Sequence, residues 1–260
     1  MSNYFNIWTA PSGLQYYDEY WTKWLWSLFR NTYGLSANAC AGLFGNLYQE
    51  SSCCPFDLEG WERQYDHNWD YLNQYIRPAT RTQFANQIYG NGAGKGFGLA
   101  QWTTFDRKAA LYDYHPTIGG VVKDHNYLGD MDRDGEYLHI DLSTWDIRSS
   151  NNETLWSAQG KTVWQWLTDP NVSIYDAVNA VLMLYEIPFR SKATQAQWQR
   201  EYNLRADYAS KCHLDFEGTS PGPTPPPTPP GPGPGPGPIP GAGLPIWLYF
   251  KMKEMNSYGK

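Results

Sequence analysis

The chain has 260 residues and a formal net charge of −6, and its stretch from Thr219 to Gly243 is nearly all Pro and Gly. Roughly 218 residues remain to fold, enough for one sizeable domain or two small ones. No Lys/Arg cluster is present to hold phosphates, which excludes a nucleic-acid partner, and no apolar run approaches the roughly 18 residues that span a bilayer.

The N-terminal MSNYFNIWTAPSG has neither a charged region nor an apolar one of signal-peptide kind, so no secretory signal is expected. The aromatic count is high, with 13 Trp, 20 Tyr and 10 Phe. Such rings fill a core or stack on sugars, and core packing accounts for most of them. Cys40, Cys53, Cys54 and Cys212 are too few for a disulfide scaffold in so long a chain, and they lack zinc-site spacing. Buried free thiols are expected, with a bridge from Cys40 to Cys53 or Cys54 as the alternative.

Leu14, Tyr17, Trp21, Leu25 and Leu28 recur at helical spacing after the start signals Pro11 and Ser12, and Gly34 ends that first helix. Ser36 caps a second helix through ANACAGLFGNLYQE, with Leu43 and Leu47 on one face. Residues 52–80 read as irregular, and glycines at 90, 92, 94, 96 and 98 make a loop. Thr103 and Asp106 have capping-box spacing for a helix through RKAALYDY. Residues 115–160 are polar and acidic, with weak periodicity. Ser173 and Asp176 open the helix IYDAVNAVLMLYE, which Pro188 stops. A last helix is predicted from Thr194 to Lys211, with Trp198, Tyr202, Arg205 and Ala209 along one stripe.

Glu50 ends the second helix, three residues beyond Leu47 and seven beyond Leu43, so it continues the apolar face. A carboxyl there loses solvation, and the negative helix terminus acts in the same direction. Both raise its pKa and favour a proton near neutral pH, as a general acid needs. A surface Glu in a last turn is the plain alternative.

GLFGNLYQESS, followed by GFGLAQWT and then by a helix ending in Y-E-x-P, resembles the phage-tail lysozyme family, which is similar in outline to goose-type lysozymes and soluble lytic transglycosylases. The resemblance covers about residues 14–211 and rests on three ordered motifs. It implies that Glu50, after Gly45 and Asn46, protonates the glycosidic oxygen. It further implies that Gln101 hydrogen-bonds the substrate, that Phe97 and Trp102 line the cleft, and that Tyr185 and Glu186 belong to the substrate site. Glu186 is expected to hold loops together by ion pairing, and Arg205 fills the position of an Arg in the following helix. A second carboxylate is not fixed by any motif; Asp57, Glu59 and Asp106 are candidates by position.

DMDRDGEYLHID carries a separate signal. Asp130, Asp132, Asp134 and Gly135 match positions 1, 3, 5 and 6 of a calcium loop, Asp141 falls at position 12, and Glu136 would offer its carbonyl. A structural Ca²⁺ is the expectation, against a solvated acidic turn. Catalysis itself is expected to need no cofactor.

The sequence therefore predicts a mainly α, lysozyme-like domain over 1–217, with a glycine-rich loop or small β-hairpin along its cleft. A Pro/Gly linker over 218–243 and an apolar tail or docking peptide over 244–260 follow. The resemblance implies a peptidoglycan glycosidase, either muramidase or lytic transglycosylase, carried on a phage virion. The C-terminal tail would reach other tail proteins, and the host cell wall would be the target during infection. A non-catalytic tail or wall-binding module is the alternative. A zinc endopeptidase is disfavoured, because no H-x-H or H-E-x-x-H pair occurs.

Overall fold

A computed structural model describes residues 19–58, 69–86, 96–188 and 191–217. The predicted start signals Pro11 and Ser12, with Leu14 and Tyr17, lie outside these residues, as do glycines 90, 92 and 94, the linker and the tail. The side chain of Trp21 is also outside what is described.

Helix α1 (Glu19–Ser27) runs into a π-helical turn, Leu28–Thr32, and the chain leaves it through Gly34 at φ +73°. Helix α2 (Ala37–Ser51) starts where the sequence places it: the Ser36 hydroxyl accepts the Ala39 N–H at 3.1 Å. Such a bond satisfies one of the orphan donors of the first turn. Every residue from Ala39 to Leu47 is buried, so α2 is a central helix rather than an amphipathic surface one.

Two glycines let that central helix sit close to its neighbours. A Cβ on Gly42 would collide with Ala177 of α8 (Ile174–Ala180), and one on Gly45 would collide with the backbone of Arg205 in α9 (Gln195–Phe216). Between them Asn46 donates its amide to the Gly42 carbonyl at 2.9 Å and to that of Val178 at 3.2 Å. The Gly-Asn pair thus clamps α2 between α8 and α9, and Glu50 emerges one turn later.

Helix α8 opens at Ser173, whose hydroxyl accepts the Asp176 N–H at 3.0 Å and donates to its carboxylate at 2.7 Å. It continues as a π-helical stretch, Val181–Glu186, and ends at Ile187 with φ +46°, ahead of Pro188. Helix α9 begins at Thr194 in a full capping box with Gln197. It runs to Phe216, further than Lys211, because Cys212 and Phe216 are also buried, the latter stacked on Trp26 at 4.9 Å.

The middle of the chain holds shorter elements. Residues 69–76, expected to be irregular, form α3 (Trp69–Tyr71) and a π-helical turn, and α4 (Arg81–Asn86) follows. Helix α5 (Phe105–Asp113) is capped by Thr104, not Thr103, whose hydroxyl instead donates to the Gln101 carbonyl at 2.8 Å. Strands β1 (Thr117–Ile118) and β2 (Val121–Val122) pair antiparallel, Thr117 opposite Val122. Helix α6 (Met131–Thr144) and helix α7 (Val163–Leu167) complete a mainly helical domain, as the sequence predicted. All four cysteines are buried.

Candidate active site

Glu50 stands in the last turn of α2, half-buried, at the mouth of a cleft of about 230 Å³ lined by Glu50, Gln101, Thr103, Thr104, Arg107 and Glu186. Immediately after it the chain turns sharply through Ser52 and Cys53, both at positive φ. The Ser51 hydroxyl donates to the Leu99 carbonyl at 2.7 Å, which fixes the helix end to the 96–102 turn. That turn is closed by paired backbone bonds between Phe97 and Trp102, at 3.2 and 3.0 Å. Gly98 sits at φ +77° against the Trp102 ring, where a side chain would find neither space nor backbone freedom.

Gln101, at φ +46°, is the polar product of this turn. Its amide nitrogen donates to the Asp57 carboxylate at 2.6 Å, and its buried Oε1 has no hydrogen-bond partner among the described residues. Backbone held in the left-handed region by a non-glycine residue is strained, and such strain clusters at sites. Asp57, one sequence candidate for a second carboxylate, is thereby engaged in holding Gln101. Asp106 is exposed on the first turn of α5, and Glu59 lies outside the described residues.

The carboxyl that does enter the cleft with Glu50 is Glu186, at the end of the π-helical stretch after α8. Burial pushes its pKa well above the ordinary carboxylate range and the charge of Glu50 pushes the same way, while Arg107 and Arg205 pull it down. Its Oε1 is buried with no hydrogen-bond partner, and no ion pair of Glu186 occurs among the described residues. Glu50, by contrast, is ion-paired with Arg205, which is only 2 % exposed and also holds Glu201 at 2.7 Å.

Behind the cleft, one carboxylate oxygen of Asp141 gathers three donors: Trp102 Nε1 at 2.8 Å, Arg107 at 2.8 Å and the Tyr185 hydroxyl at 2.6 Å. Arg107 also lies over the rings of Trp145 at 4.7 Å and Tyr185 at 4.6 Å. These contacts fix the guanidinium where it lines the cleft. They also correct the expectation for three aromatic residues. Phe97, Trp102 and Tyr185 have at most 1 % of their surface exposed, so they pack the turn and its support rather than touch a ligand. Phe97 meets Phe84 edge-on, and Trp102 meets Tyr137 in the same way.

The acids of the calcium-loop expectation lie along one helix. Residues 131–144 are helical, and a helix rises about 1.5 Å per residue, so Asp141 stands roughly 16 Å along the axis from Asp130. Ligands of one ion lie within about 2.6 Å of it. Each acid has its own partner instead. Asp130 pairs with Arg77 at 2.6 Å and Lys123 at 3.2 Å, and Asp132 pairs with Lys123 at 2.9 Å. Asp134 pairs with Arg133 at 2.6 Å, Glu136 accepts the Tyr114 hydroxyl at 3.3 Å, and Asp141 serves the cleft. No group of three or more acidic, His or Cys side chains suited to a metal occurs among the described residues.

Sequence reasoning missed Arg107 and did not bring Glu186 to face Glu50. Arg107 carried a faint signal, since a cation in a helix's first turn opposes the helix dipole and needs a compensating acid. Compared with known proteins, residues 21–213 match the phage tail lysozyme family. No curated protein and no solved structure matches the chain.

Proposed function

The chain belongs to the phage tail lysozyme family, and from that premise we propose that its cleft cleaves the glycan strand of peptidoglycan, with Glu50 as general acid. The observation that carries this reading is that Glu50 and a second carboxyl with a buried oxygen, Glu186, line one cleft. Glycosidic cleavage needs a proton delivered to the leaving oxygen and a negative group near the developing oxocarbenium. Gln101, with a buried acceptor oxygen at the cleft, suits an N–H donor such as an acetamido group. Water attack would give a reducing end and internal hydroxyl attack an anhydro sugar; both use the same acid.

The enzyme would travel on the virion and open the host wall locally during infection. The Pro/Gly-rich segment from Thr219 onward and the apolar run Leu244–Phe250 would tether it to other tail proteins. Among the described residues no helix is long and apolar enough to cross a membrane.

Loss of general acid catalysis costs about 10²- to 10⁴-fold in rate. Glu50→Gln should therefore abolish clearing of purified cell walls while keeping the wild-type circular dichroism. Clearing at more than a third of the wild-type rate by that variant would remove Glu50 from the role.

A further inference from the structure

We infer that Glu186 is the second working carboxyl of the cleft, and that Glu50 and Glu186 act as a pair carrying one proton between them. The inference deepens the glycosidase reading above and rests on it. Three observations support it. Both carboxyls line the same small cleft. Glu186 presents a buried oxygen with neither a hydrogen bond nor an ion pair among the described residues, a setting in which a neutral acid is far cheaper than a carboxylate. Glu50 is ion-paired to Arg205, which favours its carboxylate form. Two carboxyls of one cleft that share a single proton avoid placing two like charges in one confined space.

The charges around the pair come from every helix packed there. Glu50 belongs to α2, Arg107 to α5, Asp141 to α6, and Arg205 with its other partner Glu201 to α9. Arg205 is committed to Glu50 and Glu201, and Arg107 to Asp141, so neither guanidinium is bonded to Glu186. The proton therefore rests on Glu186 while the cleft is empty.

In the reaction the pair gives up that proton. The glycosidic C–O bond breaks as the leaving oxygen gains it through Glu50, and both carboxyls are then anionic opposite Arg107 and Arg205. When water, or a hydroxyl of the same sugar, forms the new bond to carbon, its proton returns to the pair. Glu186 thus sets how much acid form is present at neutral pH.

The test is the pH profile of glycan cleavage by the full chain and by its Glu186→Gln and Glu50→Gln variants, beside ¹³C-carboxyl NMR titration of glutamate-labelled wild-type protein. With the neighbouring charge removed, Glu50 beside Arg205 holds its proton less well. Glu186→Gln should lose at least tenfold at pH 7 and recover activity at lower pH, its alkaline limb moved down by a unit or more. The wild-type spectra should show one glutamate carboxyl titrating well above the others, absent from Glu186→Gln. A Glu186→Gln profile identical in shape to wild type, with Glu50→Gln inactive, overturns the pair and leaves the glycosidase reading standing. Activity surviving in Glu50→Gln overturns both. Should Glu186→Gln fail to fold, the wild-type titration decides alone: every glutamate titrating in the ordinary range refutes the pair.

Discussion

Two acid-rich regions of this protein behave in opposite ways. Along α6, Asp130, Asp132, Asp134 and Asp141 each meet a cation or a set of donors at short range. The cleft is lined by two glutamates, one of which has a buried oxygen with no hydrogen-bond partner among the described residues. The α6 region is dense enough in carboxylates to suggest a metal site, yet each of these four aspartates is paired with an Arg or a Lys. The cleft holds Glu50, ion-paired with Arg205, and Glu186, whose buried Oε1 has no hydrogen-bond partner among the described residues. What distinguishes chemistry from scaffold is the missing partner, not the number of acids.

The sharpest way to break this contrast is to remove a cation from each region. Arg133 is fully buried, pairs with Asp134 and donates to the carbonyls of Leu111 and Tyr114 at 2.6 and 2.8 Å. Arg133→Leu should cost about 3–5 kcal/mol, because a buried carboxylate and two carbonyls lose their partner. Residual activity per folded molecule should keep the wild-type pH profile. Arg205→Leu should cost a similar amount, but it should also move the alkaline limb of the activity profile to higher pH, since Glu50 loses the charge that favours its ionised form. Denaturant unfolding and activity profiles on both variants check the pair of outcomes; matching pH shifts in the two would erase the distinction.

A smaller effect is expected from Asp134 itself. Burial raises its pKa from the ordinary 3.8 to about 6, outweighing the pull of Arg133 and of the Gly129 N–H. A folded-state pKa above the unfolded one means that the folded state holds the proton more firmly. Its contribution is fully present below about pH 4 and is lost as pH rises through about 6. Folding stability should therefore decline over that window, by on the order of 1–3 kcal/mol for this group, seen as a falling melting temperature, and Asp134→Asn should flatten the decline. A variant curve parallel to wild type from pH 4 to 7 would exclude Asp134 as its source.

Smallest of all should be the response to calcium. With the acids of α6 spread along a helix and already paired, millimolar calcium added to chelator-treated protein should leave the melting temperature unchanged. A clear rise would mean that the segment can leave its helical state.

The sequence made α2 legible because Ser36, Leu43, Leu47 and Glu50 express one local rule, a cap followed by a 3.6-residue face. The same rule holds in α6, where Met131, Gly135, Leu138 and Leu142 share a buried stripe, but there an Asp-rich spacing that also fits a calcium loop masks it. Acids at the start of that helix suit its positive end. Phe97 and Trp102 were placed on the correct turn but on the wrong side of it. Their burial depends on Leu58, Phe84 and Tyr137, contacts that no local pattern encodes. Glu186 ends its helix much as Glu50 does, and only the clamp of Gly42, Gly45 and Asn46 on α8 and α9 brings the two together.

The most direct test of the central claim is mass spectrometry of purified peptidoglycan after digestion by the full chain and by Glu50→Gln. Wild type should release muropeptides with newly cut glycan ends, reducing or anhydro, and the folded variant should release none. Cleavage confined to the peptide stems, or the same glycan products from Glu50→Gln, would contradict the assignment of this cleft.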